Sequence, residues 1–316
     1  MGREKVVVTG GAGFIGSHLA AELVRRGYRV VILDDLSTGK MANIEPLLGK
    51  EDVEFIRGSI TERPRLGQIF SGVHYVFHLA AITSVPRSLI SPEATHEVNA
   101  SGTLNVLLAA RDNAVRKVIY ASSAAVYGDT PALPQREDMP PQPQSPYAVS
   151  KLVGEYYCAV FHRVYGLPTV SLRYFNVYGP RQDPAAEYAA VVPQFISRVL
   201  PGKPPIIYGD GEQTRDFAFV LDAVAASILA AESGMTGVYN IGCGEGISIN
   251  RLAELTMRLV GSDVIGVPPV HEAPRPGDIR HSVADISRAR AFGFEPRYSL
   301  EQGLRETIRS WQREAL

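Results

Sequence analysis

The chain has 316 residues, a formal net charge of -1, 45% hydrophobic residues and 21% charged ones. These proportions belong to soluble globular proteins and exclude disordered or membrane-spanning compositions. No long run of one charge sign offers an electrostatic footprint for nucleic acid or a membrane surface, so any phosphate-bearing partner must be held locally.

At this length one core usually stops growing, and a large α/β domain with a smaller lobe is expected. "MGREKVVVTG" runs straight into a short apolar segment without the long apolar region of a leader, and nowhere do 18 apolar residues follow one another, which points to the cytoplasm. The strand "KVVVT" then leads into Gly10, Gly13 and Gly16, which open the helical pattern "FIGSHLAAELVRRG". A tight turn, a close backbone approach and helix packing each exclude a Cβ, and the helix N-terminus offers N–H groups to a diphosphate. The glycines therefore predict dinucleotide binding. Asp34 ends the next strand, "YRVVILD", 18 residues after Gly16. A carboxylate there accepts the ribose hydroxyls of NAD and repels the 2′-phosphate of NADP. A loop-capping role for Asp34 and Asp35 stays open, as does NADP through Lys40.

Further strands are "VEFIRG" and "HYVFHLA", then comes the long helical pattern "SPEATHEVNASGTLNVLLAARDNA" and the strand "RKVIYASS". Continuous apolar strands joined by crossover helices predict a doubly wound Rossmann-type parallel sheet. Ser122 and Ser123 fall at a strand's carboxyl edge, where open α/β sheets place ligands. In "SPYAVSK", Ser145 can cap and Pro146 suits the first helical turn, so Tyr147 and Lys151 project from one face. A free phenol titrates near 10, and bringing it to around 7 needs about 4 kcal/mol of anion stabilisation. A neighbouring ammonium and an oxidised nicotinamide can supply it; a solvated pair on a helix face is the alternative.

After "PTVSLRYFN" the chain becomes rich in proline, glycine and aromatics. The expected organisation is a cofactor domain over 1–176, rejoined by 216–240, with 177–316 forming mainly a smaller C-terminal α/β substrate lobe. Cys158 and Cys243 make neither a disulfide framework nor a metal cluster, and His74 and His78 lack companions, so no metal is expected.

The stretches "TGGAGFIGS", "ASSAAVYGD", "SPYAVSK", "LRYFNVYGPRQDP", "YAAVVPQF", "GDGEQTRDF" and "RPGDIRHSVAD" resemble the extended short-chain dehydrogenase/reductase family over essentially the whole chain, and within it the NAD-dependent nucleotide-sugar epimerases, above all UDP-hexose 4-epimerases. The resemblance implies Tyr147 as catalytic base and acid, Lys151 as its pKa tuner and nicotinamide-ribose ligand, and Ser123 as the hydroxyl bridging sugar O4. It implies NAD contacts at Gly10, Gly13, Phe14, Ile15, Gly16, Asp34, Ser37, Thr38, Gly39, Ser59, Ile60, Leu79, Ala80, Ala81, Asn99 and Tyr174. For a UDP-sugar it implies Thr83, Ser84, Ala124, Asn176, Ala190, Val191, Tyr208, Arg215, Arg275, Asp278 and Ser282. It also implies a homodimer, built on the helices around "THEVNASGTLNVLLAA" and from Ser145 to Tyr165.

The implied reaction is epimerisation at sugar C4 through a transient 4-keto sugar, on UDP-glucose and UDP-galactose, with the N-acetylhexosamine pair as second substrates. Ala124 and Ala125, where a dehydratase would carry an Asp-Glu pair, disfavour elimination. Thr83, Ser84 and Arg87 keep a UDP-glucuronate epimerase or decarboxylase open, and a non-catalytic dinucleotide sensor is the reading from another class. Ser59, where relatives carry an aspartate, implies a looser adenine end.

Overall fold

The computed structural model describes residues 3–184, 190–261, 268–274 and 279–314. Its centre is a seven-stranded sheet of β1 (Lys5–Thr9), β2 (Arg29–Asp34), β3 (Val53–Arg57), β4 (Tyr75–His78), β5 (Lys117–Ser123), β6 (Thr169–Tyr174) and β7 (Gly237–Ile241). They lie side by side as β3-β2-β1-β4-β5-β6-β7, every pairing parallel. The order reverses between β1 and β4, and the crevice beyond their carboxyl ends is where such sheets bind ligands.

The unbroken "VVV" of β1 follows from burial on both faces. Successive side chains point to opposite sides: Val6 and Val8 join one core with Leu19 and Leu23 of the Phe14–Arg25 helix and Val224 and Ile228 of the Val220–Glu232 helix. Val7 joins the other core, with Val106 and Leu107 of the Gly102–Asp112 helix and Cys158 and Phe161 of the Pro146–Tyr165 helix. The expected helix over 91–114 is interrupted, because Glu97–Ser101 widens into a π-turn between Pro92–His96 and Gly102–Asp112. Within 216–240, Ala218–Phe219 first pairs as a short strand with Val177–Tyr178, and the helix Val220–Glu232 follows.

A third core, built from Phe195, Phe217, Leu252, Leu304 and Trp311 among others, holds the smaller lobe, and Phe14 and Ile15 pack against it. In that lobe Thr214–Arg215 lies between Ile247–Ser248 and His281–Ser282, while Ile206–Tyr208 pairs with Val270–Glu272. Among the described residues no helix is long and apolar enough to cross a membrane.

Candidate functional site

Three glycines shape the first part of the site by leaving space. Gly10 sits at φ +68°, and a Cβ on it would meet the Ala80 nitrogen at 2.7 Å. A Cβ on Gly16 would drive into the Gly10 carbonyl, so the helix starts tight against the strand's end. Gly13 takes the N-cap position with no side chain over the first helical N–H groups. A cradle that any Cβ would fill fits a dinucleotide diphosphate at a helix N-terminus. Leu79, Ala80 and Ala81 follow β4 beneath it, and Thr9 Oγ1 accepts from the Leu79 and Ala80 amides.

Asp34 combines both roles left open by the sequence. Its carboxylate accepts from Ala12 N at 2.9 Å and Leu36 N at 2.8 Å, so it pins the loop. Burial raises its pKa, and the amides of Leu36, Ala12 and Gly13 work against that. Gly39 packs directly on the same carboxylate, while Ser37 and Thr38 are exposed beside it. Lys40 Nζ lies 2.9 Å from Asp183 Oδ2, an engaged cation rather than a free one for a 2′-phosphate. Ile60 is buried, and the Ser59 hydroxyl accepts from Thr61 N and Oγ1.

The chemical residues gather where β5 ends against the Pro146–Tyr165 helix. Ser145 caps that helix by accepting from Ala148 N at 3.1 Å, and Pro146 follows in the first turn. Tyr147 and Lys151 are both buried. Lys151 donates to the Ala121 carbonyl at 2.8 Å, and its nitrogen lies 5.9 Å from the centre of the Tyr147 ring. Desolvation pulls Lys151 down to about 8. Burial raises the Tyr147 phenol, opposed only by a hydrogen bond with Ser123. Among the protein's own groups, burial outweighs that bond at the Tyr147 phenol. Ser123 also accepts from Ala125 N, and Ala124 stands beside it. Tyr174 neighbours Ser123 in register and bonds Ser227 at 2.7 Å.

Asn99, on the π-turn, ties two parts together: it exchanges hydrogen bonds with Ile82 N and O and donates to Ser150 Oγ at 2.9 Å. Beneath it, buried His78 bonds Thr9 Oγ1 at 2.8 Å and Thr103 Oγ1 at 2.9 Å, and desolvation pushes it down to about 3. That fully bonded core histidine leaves no room for a metal role, and among the described residues no cluster of His, Cys, Asp or Glu could hold one.

Asn176, Ala190, Val191, Tyr208 and Arg215 line one cavity of about 230 Å³ in the smaller lobe. Thr83, exposed, and Ser84, which caps the Val85–Ile90 helix, are not among its walls. Ser282 is buried with its hydroxyl on Gln135 at 3.2 Å, also outside those walls. Arg275 and Asp278 lie outside the described residues.

Sequence reasoning missed Gln182 and Gln213 on the cavity wall, each with a buried side-chain oxygen that has no hydrogen-bond partner. It also missed the buried pair of Glu155 and Arg173, joined at 2.7 and 2.9 Å. It missed Asp216 too, whose carboxylate accepts from the backbone N–H groups of Cys243, Gly244 and Ala284 and which burial raises to about 6. No local signal marks these; the glutamines' only hint was their place in "GPRQDP" and "GDGEQTRDF".

Residues 6–242 match the model of the NAD dependent epimerase/dehydratase family. UDP-glucose 4-epimerase from Mycolicibacterium smegmatis is 40% identical over 310 residues, 96% of this chain and 97% of that protein. Among solved structures, UDP-N-acetylglucosamine 4-epimerase from Methanobrevibacter ruminantium M1, in complex with UDP-N-acetylmuramic acid, is 43% identical with a TM-score of 0.94, covering 99% of this chain and 100% of that one. UDP-glucose 4-epimerase from Thermotoga maritima, with UDP-glucose, is 40% identical with a TM-score of 0.93 over the same shares.

Proposed function

The chain belongs to the NAD dependent epimerase/dehydratase family, and on that premise we propose that it is a UDP-hexose 4-epimerase. It interconverts UDP-glucose and UDP-galactose, with the UDP-N-acetylhexosamine pair as further substrates. The observation that carries this is the meeting of Tyr147, Ser123 and Lys151 at the carboxyl end of β5, in the same sheet whose β1 and β2 lead into the glycine cradle and Asp34.

Bound NAD supplies a hydride acceptor and, in the return step, its donor. Gly10, Gly13 and Gly16 leave room for its diphosphate and Asp34 receives its adenosine ribose. Tyr147, as phenolate, takes the proton of the sugar 4-hydroxyl while that carbon becomes a ketone, and Ser123 holds the same oxygen. Lys151 keeps a positive charge beside the ring, which favours the phenolate. After the sugar turns over, Tyr147 returns the proton to O4 on the inverted centre. Arg215, in the smaller lobe, suits the UDP phosphates because a guanidinium offers paired planar donors; anchoring that end leaves the hexose free to turn.

Ala124 and Ala125 supply no acid for elimination, which supports epimerase over dehydratase. Ser84 accepts from the Arg87 amide at 3.1 Å and keeps its own hydroxyl proton to donate, so a UDP-hexuronate is the second substrate class to assay. An exposed stripe of Val149, Tyr156, Val160 and Val164 on the Pro146–Tyr165 helix supports a homodimer.

The deciding experiment follows UDP-galactose and UDP-GalNAc turnover side by side with wild-type protein and Tyr147→Phe. Wild-type epimerisation of at least one pair, lost by a factor on the order of 100 or more in the variant, is the expected result. Unchanged turnover in Tyr147→Phe would sink the assignment.

A further inference from the structure

Four consecutive residues of β5 are each tied to the helix that carries the tyrosine. Tyr120 donates its hydroxyl to the Lys151 carbonyl at 3.3 Å, and the Ala121 carbonyl accepts from Lys151 Nζ at 2.8 Å. Ser122 Oγ reaches Glu155 Oε1 at 2.5 Å, and Ser123 bonds the Tyr147 phenol. Gly154 lets the two elements come this close, since a Cβ there would run into the Tyr120 ring.

Tyr147, Lys151 and Glu155 recur every four residues and so share the helix face laid on the sheet. The reaction above uses the first two and leaves Glu155 without a chemical part. Besides Ser122, Glu155 Oε1 accepts from Arg173 Nε at 2.9 Å, and Oε2 accepts from Arg173 Nη2 at 2.7 Å. Arg173 is also the residue opposite Ser122 in the register of β5 and β6. The three buried side chains therefore close a triangle with one corner on each strand and one on the helix. A two-pronged guanidinium fixes the plane of the carboxylate, so the oxygen that receives Ser122 does not swing. A buried ion pair is often no more stabilising than apolar side chains of the same volume. What it adds here is direction: it sets the height of the helix over the strand end, and proton transfer is sensitive to misplacements of about 1 Å.

We propose that Ser122, Glu155 and Arg173 are positioning residues of the reaction, which hold the Ser123 hydroxyl and the Tyr147 phenol at one fixed separation through the strand and the helix that carry them. The proposal rests on the epimerase reading above and adds no residue that touches the sugar.

The test compares kcat and KM in wild-type protein, Ser122→Ala, Glu155→Gln and the double variant, on whichever UDP-hexose the wild-type protein turns over faster. Ser122→Ala leaves the ion pair whole, and Glu155→Gln keeps the side-chain volume. The result expected in Ser122→Ala is a kcat lower by about fivefold or more at a KM within about twofold of wild type. The double variant should be no slower than Glu155→Gln alone, because both changes cut the same connection. A smaller fall of kcat in Ser122→Ala overturns the proposal and leaves the epimerase reading intact. A larger rise of KM does the same, as do single effects that multiply in the double variant, since a general loosening of the fold produces both. Wild-type protein that turns over no UDP-hexose overturns the epimerase reading and the proposal with it.

Discussion

Ser122 donates to Glu155 Oε1 at 2.5 Å, a short bond that joins the strand carrying Ser123 to the helix carrying Tyr147 and Lys151. Glu155 lies one helical turn beyond Lys151 and is clamped from the other side by Arg173, whose guanidinium stacks 4.6 Å from the Tyr127 ring. Both charges are only 3–4% exposed. Removing one partner strands the other in a low-dielectric interior, which typically costs about 3–5 kcal/mol. Glu155→Ala should lose that much in denaturant unfolding. The double change Glu155→Leu with Arg173→Met should lose clearly less than the sum of the single changes. Strict additivity would show the pair to be independent.

Lys151, drawn down to about 8, loses its ammonium as the solution passes that pH. Tyr147 then keeps no cation from the protein beside its ring. We expect kcat/KM to decline above about pH 8, and the decline to vanish in Lys151→Met, at a rate lower by a factor on the order of 100. An alkaline limb that survives in Lys151→Met would assign the titration elsewhere.

Two buried groups titrate with opposite effects on folding. His78, lowered to about 3, binds no proton in the folded state while the unfolded imidazole does below about 6.5, so its contribution falls as pH drops from 6.5 toward 3. Asp216, raised to about 6, is protonated in the folded state over a range where the unfolded carboxyl is not. Its contribution is present in full below 3.8 and is lost as pH rises through 6. Between pH 4 and 6 the two slopes cancel. Asp216→Asn should uncover the histidine slope, about 1.4 kcal/mol per pH unit. Parallel stability curves for wild type and variant would refute the pairing of these two groups.

Val164 is 61% exposed and Tyr156 58%, two turns apart on the face that also carries Val149 and Val160. Light scattering should return twice the 34.3 kDa of one chain for the wild-type protein. Tyr156→Asp with Val164→Asp should return a single chain with turnover partly kept. A wild-type monomer would remove the need for this face to be covered.

The glycine cradle and the Ser145 cap were legible because each depends on a local rule that a sequence displays: no room for a Cβ, or a hydroxyl followed by proline. The two serines of "ASS" were not separable in the same way. In a strand adjacent side chains go to opposite faces, so Ser123 reaches Tyr147 while Ser122 turns to Glu155. Nothing in the string says which of them meets the tyrosine. Glu155 and Arg173 lie 18 positions apart, and only the packing of the helix on β5 and β6 buries them together. The contact of Arg181 at Ser17 spans 164 positions, a separation that no local pattern displays.

The π-turn at Glu97–Ser101 means that the stretch from Pro92 to Asp112 holds one residue more than regular α-helical winding needs. Deleting Ala100 would therefore not break the helix; it would make it more regular. The flanking segments would keep their places while the turn itself rewound, and Asn99 would lose its aim at Ile82 and Ser150. A shorter, better-formed helix would be the sign of a lost connection between the β4 loop and the tyrosine's own helix.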